Sequence, residues 1–285
     1  MIGEPDTKRT YAYRLGRLSL TSDIALGLPS PRDSVETSIR VAIRSSDVDL
    51  DGESDPIVTD GGTYWLYDER ILYRRESSVS TEALARELLD VILPEYLASA
   101  GEVVLHASVV LKNGRAVLIT GASGSGKSTT ALLLERSGWK LGSDDFAIIH
   151  DDLRAETFGG PVRVWSDVEE ALRVGEVSRN LRGKSISPRP WLVRRSEVVA
   201  VLILSDNAVD DLSVDDVEGG NAFSQLIRAC FRPSGSAESH LRKQIEVVSK
   251  LVAERKVASL LIPRRLGSLD RMSEELSALL EDLVE

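Results

Sequence analysis

Apolar and polar residues alternate through much of the first third of the chain. The segments "YAYRLGRLSL" (11–20) and "TSIRVAIRS" (37–45) show the period of two that is typical of half-buried strands. The segment "DGGTYWLYDERILYRRE" (60–76) keeps the alternation on both sides of a short acidic turn, which predicts a hairpin. We therefore expect this region to be rich in β-strands.

A helical period replaces the alternation after Ser80, which is a suitable N-cap residue. Four apolar residues then recur on one helical face: Leu84, Leu88, Val91 and Ile92. Pro94 is expected to interrupt this helix near its end, because proline lacks the backbone N–H that a helix uses. Residues 1–100 are thus predicted to form a small β-rich N-terminal region with a linking helix.

From residue 101 onward, apolar runs of strand length alternate with helical patterns. The strand "EVVLHASVVL" is followed by Asn113 and Gly114, which are typical of a tight turn, and then by "RAVLIT" as its hairpin partner. A glycine-rich loop and a helix that ends at Gly138 come next. The segments "WKLGSDD" and "FAIIH" are predicted to be strands on either side of an acidic corner.

Three longer segments complete the pattern. The run "EVVAVLILSD" predicts a buried strand, and "AESHLRKQIEVVSKLVAE" and "SLDRMSEELSALLEDLV" predict long helices. Residues 101–285 are therefore expected to form an α/β core with a mixed sheet and C-terminal helices.

Composition limits the function classes. The net charge of −10 disfavours a broad nucleic-acid surface, while 42% hydrophobic and 28% charged residues are usual for a globular protein. The single cysteine, Cys230, excludes an internal disulfide and a multi-cysteine metal site. No bilayer-spanning or secretory segment is recognisable. We expect a cytoplasmic protein that binds neither nucleic acid nor membrane; a homo-oligomer is an open alternative.

The glycine-rich loop carries the clearest chemistry. Residues 121–128, "GASGSGKS", match the phosphate-binding pattern G-x-x-x-x-G-K-[ST] at every fixed position, between a strand and a helix. Glycines let backbone N–H groups curl around an anion, and the helix N-terminus adds partial positive charge. The residues expected to bind the nucleotide are Gly121, Ser123, Gly124, Ser125, Gly126, Lys127, Ser128 and Thr129. Lys127 is expected at the β- and γ-phosphates, and Ser128 at Mg²⁺.

The acidic corner supplies candidate partners for this loop. Asp144 and Asp145 follow the strand that comes after the loop's helix, and such a strand end opens on the same side as the phosphate loop. We predict one carboxylate on Mg²⁺ or its water and the other near an acceptor hydroxyl. A solvated turn is the alternative interpretation, and Asp206, at the end of "VLILSD", is an alternative metal partner.

His106 is a further candidate, because its strand leads through the hairpin directly into the phosphate loop. A role beside the phosphates or behind the catalytic groups and a role as a plain core histidine are both consistent with the sequence.

The segment "LHASVVLKNGRAVLITGASGSGKSTTALLLERSGWKLGSDDFAII" resembles the HPr kinase/phosphorylase family and related proteins, whose P-loop core is similar to phosphoenolpyruvate carboxykinase. The resemblance extends more loosely to "GGPVRVWSDVEEAL", in which Arg163 and Trp165 are characteristic. It implies that ATP binds at the loop and that Ser128 and Asp144 hold Mg²⁺. It also implies that Asp145 is the general base on a serine hydroxyl, supported by His106 and Lys127.

The chain departs from the bifunctional HPr enzymes in ways that bear on the acceptor. Ala107 follows the histidine where those enzymes have glycine, and no later segment matches their phosphorolysis and docking motif. The resemblance therefore favours a peptide or protein serine, such as one in a lasso-type precursor peptide. A small hydroxyl compound such as free serine and a nucleotide-sensing ATPase are the alternatives. Arg163 and Lys184 are weaker candidates for the acceptor side, with surface solvation as the other interpretation.

Overall fold

A computed structural model describes ten stretches of the chain: residues 10–15, 17–28, 39–46, 55–172, 178–179, 185–187, 189–205, 209–232, 238–263 and 269–281. The chain divides into two compact units, Met1–Ala100 and Gly101–Glu285, which are described separately.

The N-terminal unit contains a six-stranded mixed sheet with the order β1-β2-β3-β6-β5-β4. Its strands β2, β3 and β6 are parallel neighbours, whereas the β1–β2, β6–β5 and β5–β4 pairs are antiparallel. The strands are β1 (Tyr11–Leu15), β2 (Leu18–Ser22), β3 (Ile39–Ser45), β4 (Ile57–Val58), β5 (Gly62–Tyr67) and β6 (Arg70–Arg75). The alternating pattern correctly predicted β-structure in 11–20 and 37–45 and the β5–β6 hairpin, but it did not predict that the first segment divides into two antiparallel strands, β1 and β2.

Helices follow the sheet in the same unit: α1 (Thr81–Glu87), a π-helical turn (Leu88–Ile92) and α2 (Leu93–Ser99). The Ser80 side chain accepts a hydrogen bond from the backbone N–H of Ala83, as predicted for an N-cap. The expectation that Pro94 interrupts the helix is wrong. Pro94 lies in the first turn of α2, where its missing N–H costs little, and the helical path runs on to Ser99.

The C-terminal unit is built on a nine-stranded mixed sheet with the order β17-β18-β16-β9-β8-β10-β12-β11-β7, in which β16 also pairs with β12. Its strands are β7 (Val104–Leu105), β8 (Ser108–Lys112), β9 (Arg115–Gly121), β10 (Lys140–Ser143), β11 (Ala147–Ile149), β12 (Arg154–Gly159), β16 (Trp191–Leu204), β17 (Ser213–Asp216) and β18 (Lys256–Leu261). The prediction of an α/β protein with a mixed sheet is confirmed.

The remaining elements cover this sheet or form a small antiparallel sheet with the order β13-β15-β14. They are α3 (Lys127–Arg136), β13 (Val162–Val164), α4 (Ser166–Leu172), β14 (Ser178–Arg179), β15 (Ser185–Ser187), α5 (Gly219–Ala229), α6 (Glu238–Glu254) and α7 (Leu269–Glu281). Apolar side chains of α5 and α6 pack into one buried cluster with the sheet, and those of α3 and α7 into another. None of the helices in the described stretches is long and apolar enough to cross a membrane.

Strand directions bring the phosphate loop and the acidic corner to one edge. Strand β8 is antiparallel to both β9 and β10, so β9 and β10 run the same way and end at the same edge. The first residue of β8 lies at that edge too. The predicted strand through "EVVLHASVVL" is not continuous, because the ladder breaks between β7 and β8 at His106 and Ala107.

Candidate functional site

The phosphate loop joins the end of β9 to the start of α3 with a backbone that only glycine adopts easily. Gly121, Gly124 and Gly126 have φ angles of 141°, 83° and 104°. A Cβ at Gly121 would lie 2.9 Å from the carbonyl oxygen of Leu204, which excludes a side chain there. A Cβ at Gly124 or Gly126 would meet no atom within 4 Å, so open space lies in front of the loop.

Two polar side chains of the loop suit an anion in that space. The Lys127 ammonium, on a residue only 7% exposed, donates to the carbonyl oxygens of Gly121 and Ala122 at 3.0 Å each. The buried Ser125 hydroxyl has no hydrogen-bond partner among the described residues. An orphaned buried hydroxyl is unfavourable unless a ligand or water satisfies it, so these residues fit a bound phosphate.

Asp144 connects the acidic corner to the loop. Its carboxylate accepts from the Ser108 hydroxyl at 3.0 Å and from the backbone N–H of Arg163 at 3.0 Å, and it interacts with the Ser128 hydroxyl. Burial, and then the charge of Asp145, raise the pKa of Asp144 to about 6, although the charge and backbone N–H of Arg163 and the Ser128 hydroxyl oppose the rise. The two residues predicted to hold Mg²⁺, Ser128 and Asp144, are therefore neighbours.

Asp145 forms an ion pair with Arg163. The side chain of Asp145 is 29% exposed, whereas that of Arg163 is 9% exposed. Since the Arg163 backbone N–H also bonds to Asp144, one residue contacts both carboxylates and holds them in different directions. The adjacent aspartates thus have different surroundings, one buried against Ser128 and one accessible to solvent.

A double-glycine turn carries the chain from β12 to Arg163. Gly159 and Gly160 have φ angles of 67° and 89°. A Cβ at Gly159 would lie 2.5 Å from the Pro190 carbonyl oxygen, and one at Gly160 would lie 2.8 Å from the Trp191 ring. The turn therefore needs glycine for both its backbone angles and its close approach to the start of β16.

His106 lies behind the acidic corner. Its Nδ1 is 2.8 Å from the Asp145 carbonyl oxygen, which can only accept, so Nδ1 carries the proton. Burial, and then the Lys127 charge, lower the pKa of His106, which favours the neutral ring. The ring also meets Phe231 edge to face, with centroids 5.9 Å apart. His106 contacts the backbone of Asp145, which is the geometry of a positioning residue.

The structure also places the other predicted residues. Ser123 is exposed on the loop, and Thr129 is half-buried in the first turn of α3. Lys184 and the alternative metal partner Asp206 lie outside the described residues. The described part of the chain holds no group of three or more His, Cys, Asp or Glu side chains suited to a metal. The site predicted here uses one carboxylate and one hydroxyl, with phosphate and water as the other ligands.

Sequence reasoning missed Ser108 and Thr120. The single proton of the Ser108 hydroxyl is shared between the backbone carbonyl of Asp144 at 2.7 Å and its carboxylate at 3.0 Å, and the Thr120 hydroxyl donates to the His106 carbonyl at 2.9 Å. A signal for Ser108 was present, because it lies two residues after His106 in the segment predicted to be one strand, where alternate residues face the same side.

No family model and no curated protein matches this sequence. One solved structure with detectable similarity is that of the Hpr(Ser) kinase/phosphatase from Coxiella burnetii. The similarity covers 64% of this chain and 87% of that chain at 18% identity, with a TM-score of 0.29. A superposition this weak assigns neither a fold family nor an activity, so an HPr-kinase-like core remains a prediction from the sequence.

Proposed function

We propose that this protein is a Mg·ATP-dependent kinase that transfers the γ-phosphate of ATP to a serine hydroxyl of a peptide or protein. The observation that carries the proposal is the pair Asp144 and Asp145, both held by Arg163, at the end of β10 on the same sheet edge as the phosphate loop. Phosphoryl transfer needs positioning, charge neutralisation and a group that accepts the hydroxyl proton, and these residue types at the edge of a phosphate loop can provide all three.

Each residue has a separate role in this proposal. The loop amides and Lys127 bind the triphosphate, and Ser128 and Asp144 would hold Mg²⁺. The metal ion, when bound, neutralises charge on the phosphate oxygens. Asp145 accepts the proton of the serine hydroxyl, whose oxygen forms a bond to the γ-phosphorus. The bond from that phosphorus to the β–γ bridging oxygen breaks, and ADP leaves.

The exposure of Asp145 supports an acceptor that arrives from solvent. A general base must lie within hydrogen-bonding reach of the hydroxyl that it deprotonates. The Asp145 side chain is 29% exposed, and Trp165, two residues after its partner Arg163, is 51% exposed. A serine of a bound peptide could therefore reach Asp145, and a neighbouring apolar residue of the same peptide could pack against Trp165.

The test compares three reactions of the purified protein with Mg·ATP: no acceptor, free L-serine, and serine-containing peptides encoded near its gene. We expect peptide-dependent ADP release and a peptide mass gain of one phosphate on a serine. Lys127→Ala should abolish both, because it removes the charge at the phosphates. If only free serine becomes phosphorylated, the protein is a small-molecule kinase and not a peptide kinase. If ATP is hydrolysed steadily and no acceptor accelerates the reaction, the protein is an ATPase.

A further inference from the structure

The six-stranded sheet of the N-terminal unit has two faces of different chemistry. Alternate residues of β1, β2, β3 and β6 are buried on the inner face, including Tyr13, Leu20, Val41, Ile43 and Ile71. The outward positions of the six strands contain five arginines and no aspartate or glutamate. The five are Arg14, Arg40, Arg44, Arg70 and Arg74. Such an acid-free face is unexpected in a chain with a net charge of −10.

Four of these arginines form a regular row along two adjacent parallel strands. Ala42 of β3 pairs with Arg70 of β6, and Arg44 pairs with Leu72. Arg70 is therefore level with the midpoint between Arg40 and Arg44, and Arg74 continues the series one step beyond Arg44. Successive guanidinium-bearing positions alternate between the strands and advance by two residues, or about 6.7 Å, along the strand direction.

The row is accessible, and part of its positive charge is uncompensated. Arg40, Arg70 and Arg74 are exposed, and Arg44 is half-buried. The Arg44 guanidinium donates to the Ile43 carbonyl and the Thr21 hydroxyl, both neutral acceptors. Among the described residues, no carboxylate forms an ion pair with Arg40, Arg44 or Arg70. Like charges this close are unfavourable unless an anionic group neutralises them.

The aromatic residues of the same face favour a carboxylate ligand over a nucleic acid. Trp65 is 4% exposed, with Arg74 over its ring at 5.5 Å, and Arg70 lies over the Tyr67 ring at 4.7 Å. Proteins that bind single strands on a sheet stack bases on open aromatic faces, and these two faces are covered.

We propose that this arginine row binds an extended, acidic peptide segment of a protein partner, with acidic side chains at alternate positions. An extended peptide presents every second side chain on one side at the same spacing of about 6.7 Å, so its carboxylates would align with the row. Arginine suits such a ligand because its planar guanidinium can make two parallel bonds to one carboxylate. This inference concerns the N-terminal unit and does not depend on the proposed kinase activity.

The test measures binding of a fluorescent nine-residue peptide of alternating glutamate and threonine by fluorescence anisotropy. The full-length protein should bind it, and a peptide with glutamine in place of glutamate should bind at least tenfold more weakly. Raising the salt concentration from 50 to 500 mM should also weaken binding at least tenfold, because the pairs are solvent-exposed. The double variant Arg40→Glu/Arg70→Glu should lose at least tenfold in affinity.

The matched control is Arg242→Glu/Arg271→Glu, which makes the same change in net charge at two exposed helical arginines of the other unit. It should change the affinity less than twofold. If the Arg40/Arg70 glutamate variant does not fold, as judged by circular dichroism, Arg40→Gln/Arg70→Gln replaces it, with a threefold or greater loss expected.

Several outcomes would overturn the proposal. Equal losses in the row and control variants would mean that only overall charge matters, and the absence of wild-type binding would mean that the face of the intact protein does not take such a peptide from a partner. Tighter binding of a single-stranded oligonucleotide than of the peptide would assign the face to nucleic acid. The chain's own acidic segment contains Asp47, Asp49, Asp51 and Glu53. If the peptide binds only after these residues are replaced by their amides, this segment and not a partner's peptide occupies the arginine row.

Discussion

Arg163 and Arg40 carry the same charge in opposite surroundings. Arg163 is buried in the C-terminal unit, where its guanidinium pairs with Asp145 and its backbone N–H bonds to Asp144. Arg40 lies exposed on the N-terminal sheet among other arginines. Burial strengthens electrostatic interactions and fixes geometry, whereas an exposed charge is screened and adaptable. The first arrangement suits chemistry on one atom, and the second suits recognition of an extended, charged partner.

This contrast predicts that changes to the charges around Arg163 have larger effects than changes to the exposed ion pairs. The largest is expected for Asp145→Asn, which keeps the shape of the side chain but removes the proposed proton acceptor. Phosphoryl transfer should fall by roughly 10²–10⁴, because this is the usual contribution of a general base. The affinity for ATP should stay within a few fold. Steady-state kinetics with the peptide acceptor, together with nucleotide binding by calorimetry, measure both quantities.

The matched control for Asp145→Asn is Asp152→Asn. Asp152 is an aspartate in the same unit that is half exposed and pairs with Arg195 at 2.9 Å. Exposed ion pairs contribute little, so this variant should keep nearly full activity. Transfer that survives Asp145→Asn with less than a tenfold loss would show that Asp145 is not the base.

A smaller effect is expected for Arg163→Gln, which should lower kcat about 10- to 100-fold with little change in KM for ATP. If Arg163 acts by positioning Asp145, the two changes are not additive: in an Asp145→Asn background, Arg163→Gln should cost less than threefold. A double-mutant cycle on kcat measures this coupling, with Arg195→Gln as the control for loss of an arginine–aspartate pair. Losses that multiply would mean that Arg163 acts on the phosphoryl group itself.

The two units also differ in how much of them the sequence predicted. The phosphate loop and the acidic corner were recognisable because their spacing and flanking pattern are local. The pairing of Arg163 with Asp145 was not predictable, since it depends on the turn at Gly159 and Gly160 and on a residue eighteen positions away. The arginine row was missed for a related reason. Alternation shows that Arg40 and Arg70 each face outward, but only the β3–β6 register makes them neighbours.

The smallest effects are expected on the free energy of unfolding, measured without nucleotide or metal, when one carboxylate in each unit is replaced by an amide. The Asp23 carboxylate accepts from the Ser45 backbone N–H, the Ser45 hydroxyl and the Tyr73 hydroxyl at 2.6, 2.9 and 3.0 Å. Asp23→Asn should lower the free energy of unfolding by about 1 kcal/mol, because hydrogen bonds to a charged acceptor are stronger than those to a neutral one. Asp144 also has hydrogen-bond donors, yet burial beside Asp145 raises its pKa to about 6.

The native state therefore holds a proton on Asp144 up to a higher pH than the unfolded state does, so ionisation of this group destabilises the fold as the pH rises from about 4 to above 6. Asp144→Asn should thus be more stable than the wild type at pH 8, by about 1–3 kcal/mol, and lose that advantage at pH 4. Urea unfolding at both pH values, with Asp23→Asn alongside, measures the difference. A loss of stability in Asp144→Asn at pH 8 would mean that its hydrogen-bond donors outweigh its burial, and Asp144 and Asp23 would then behave alike.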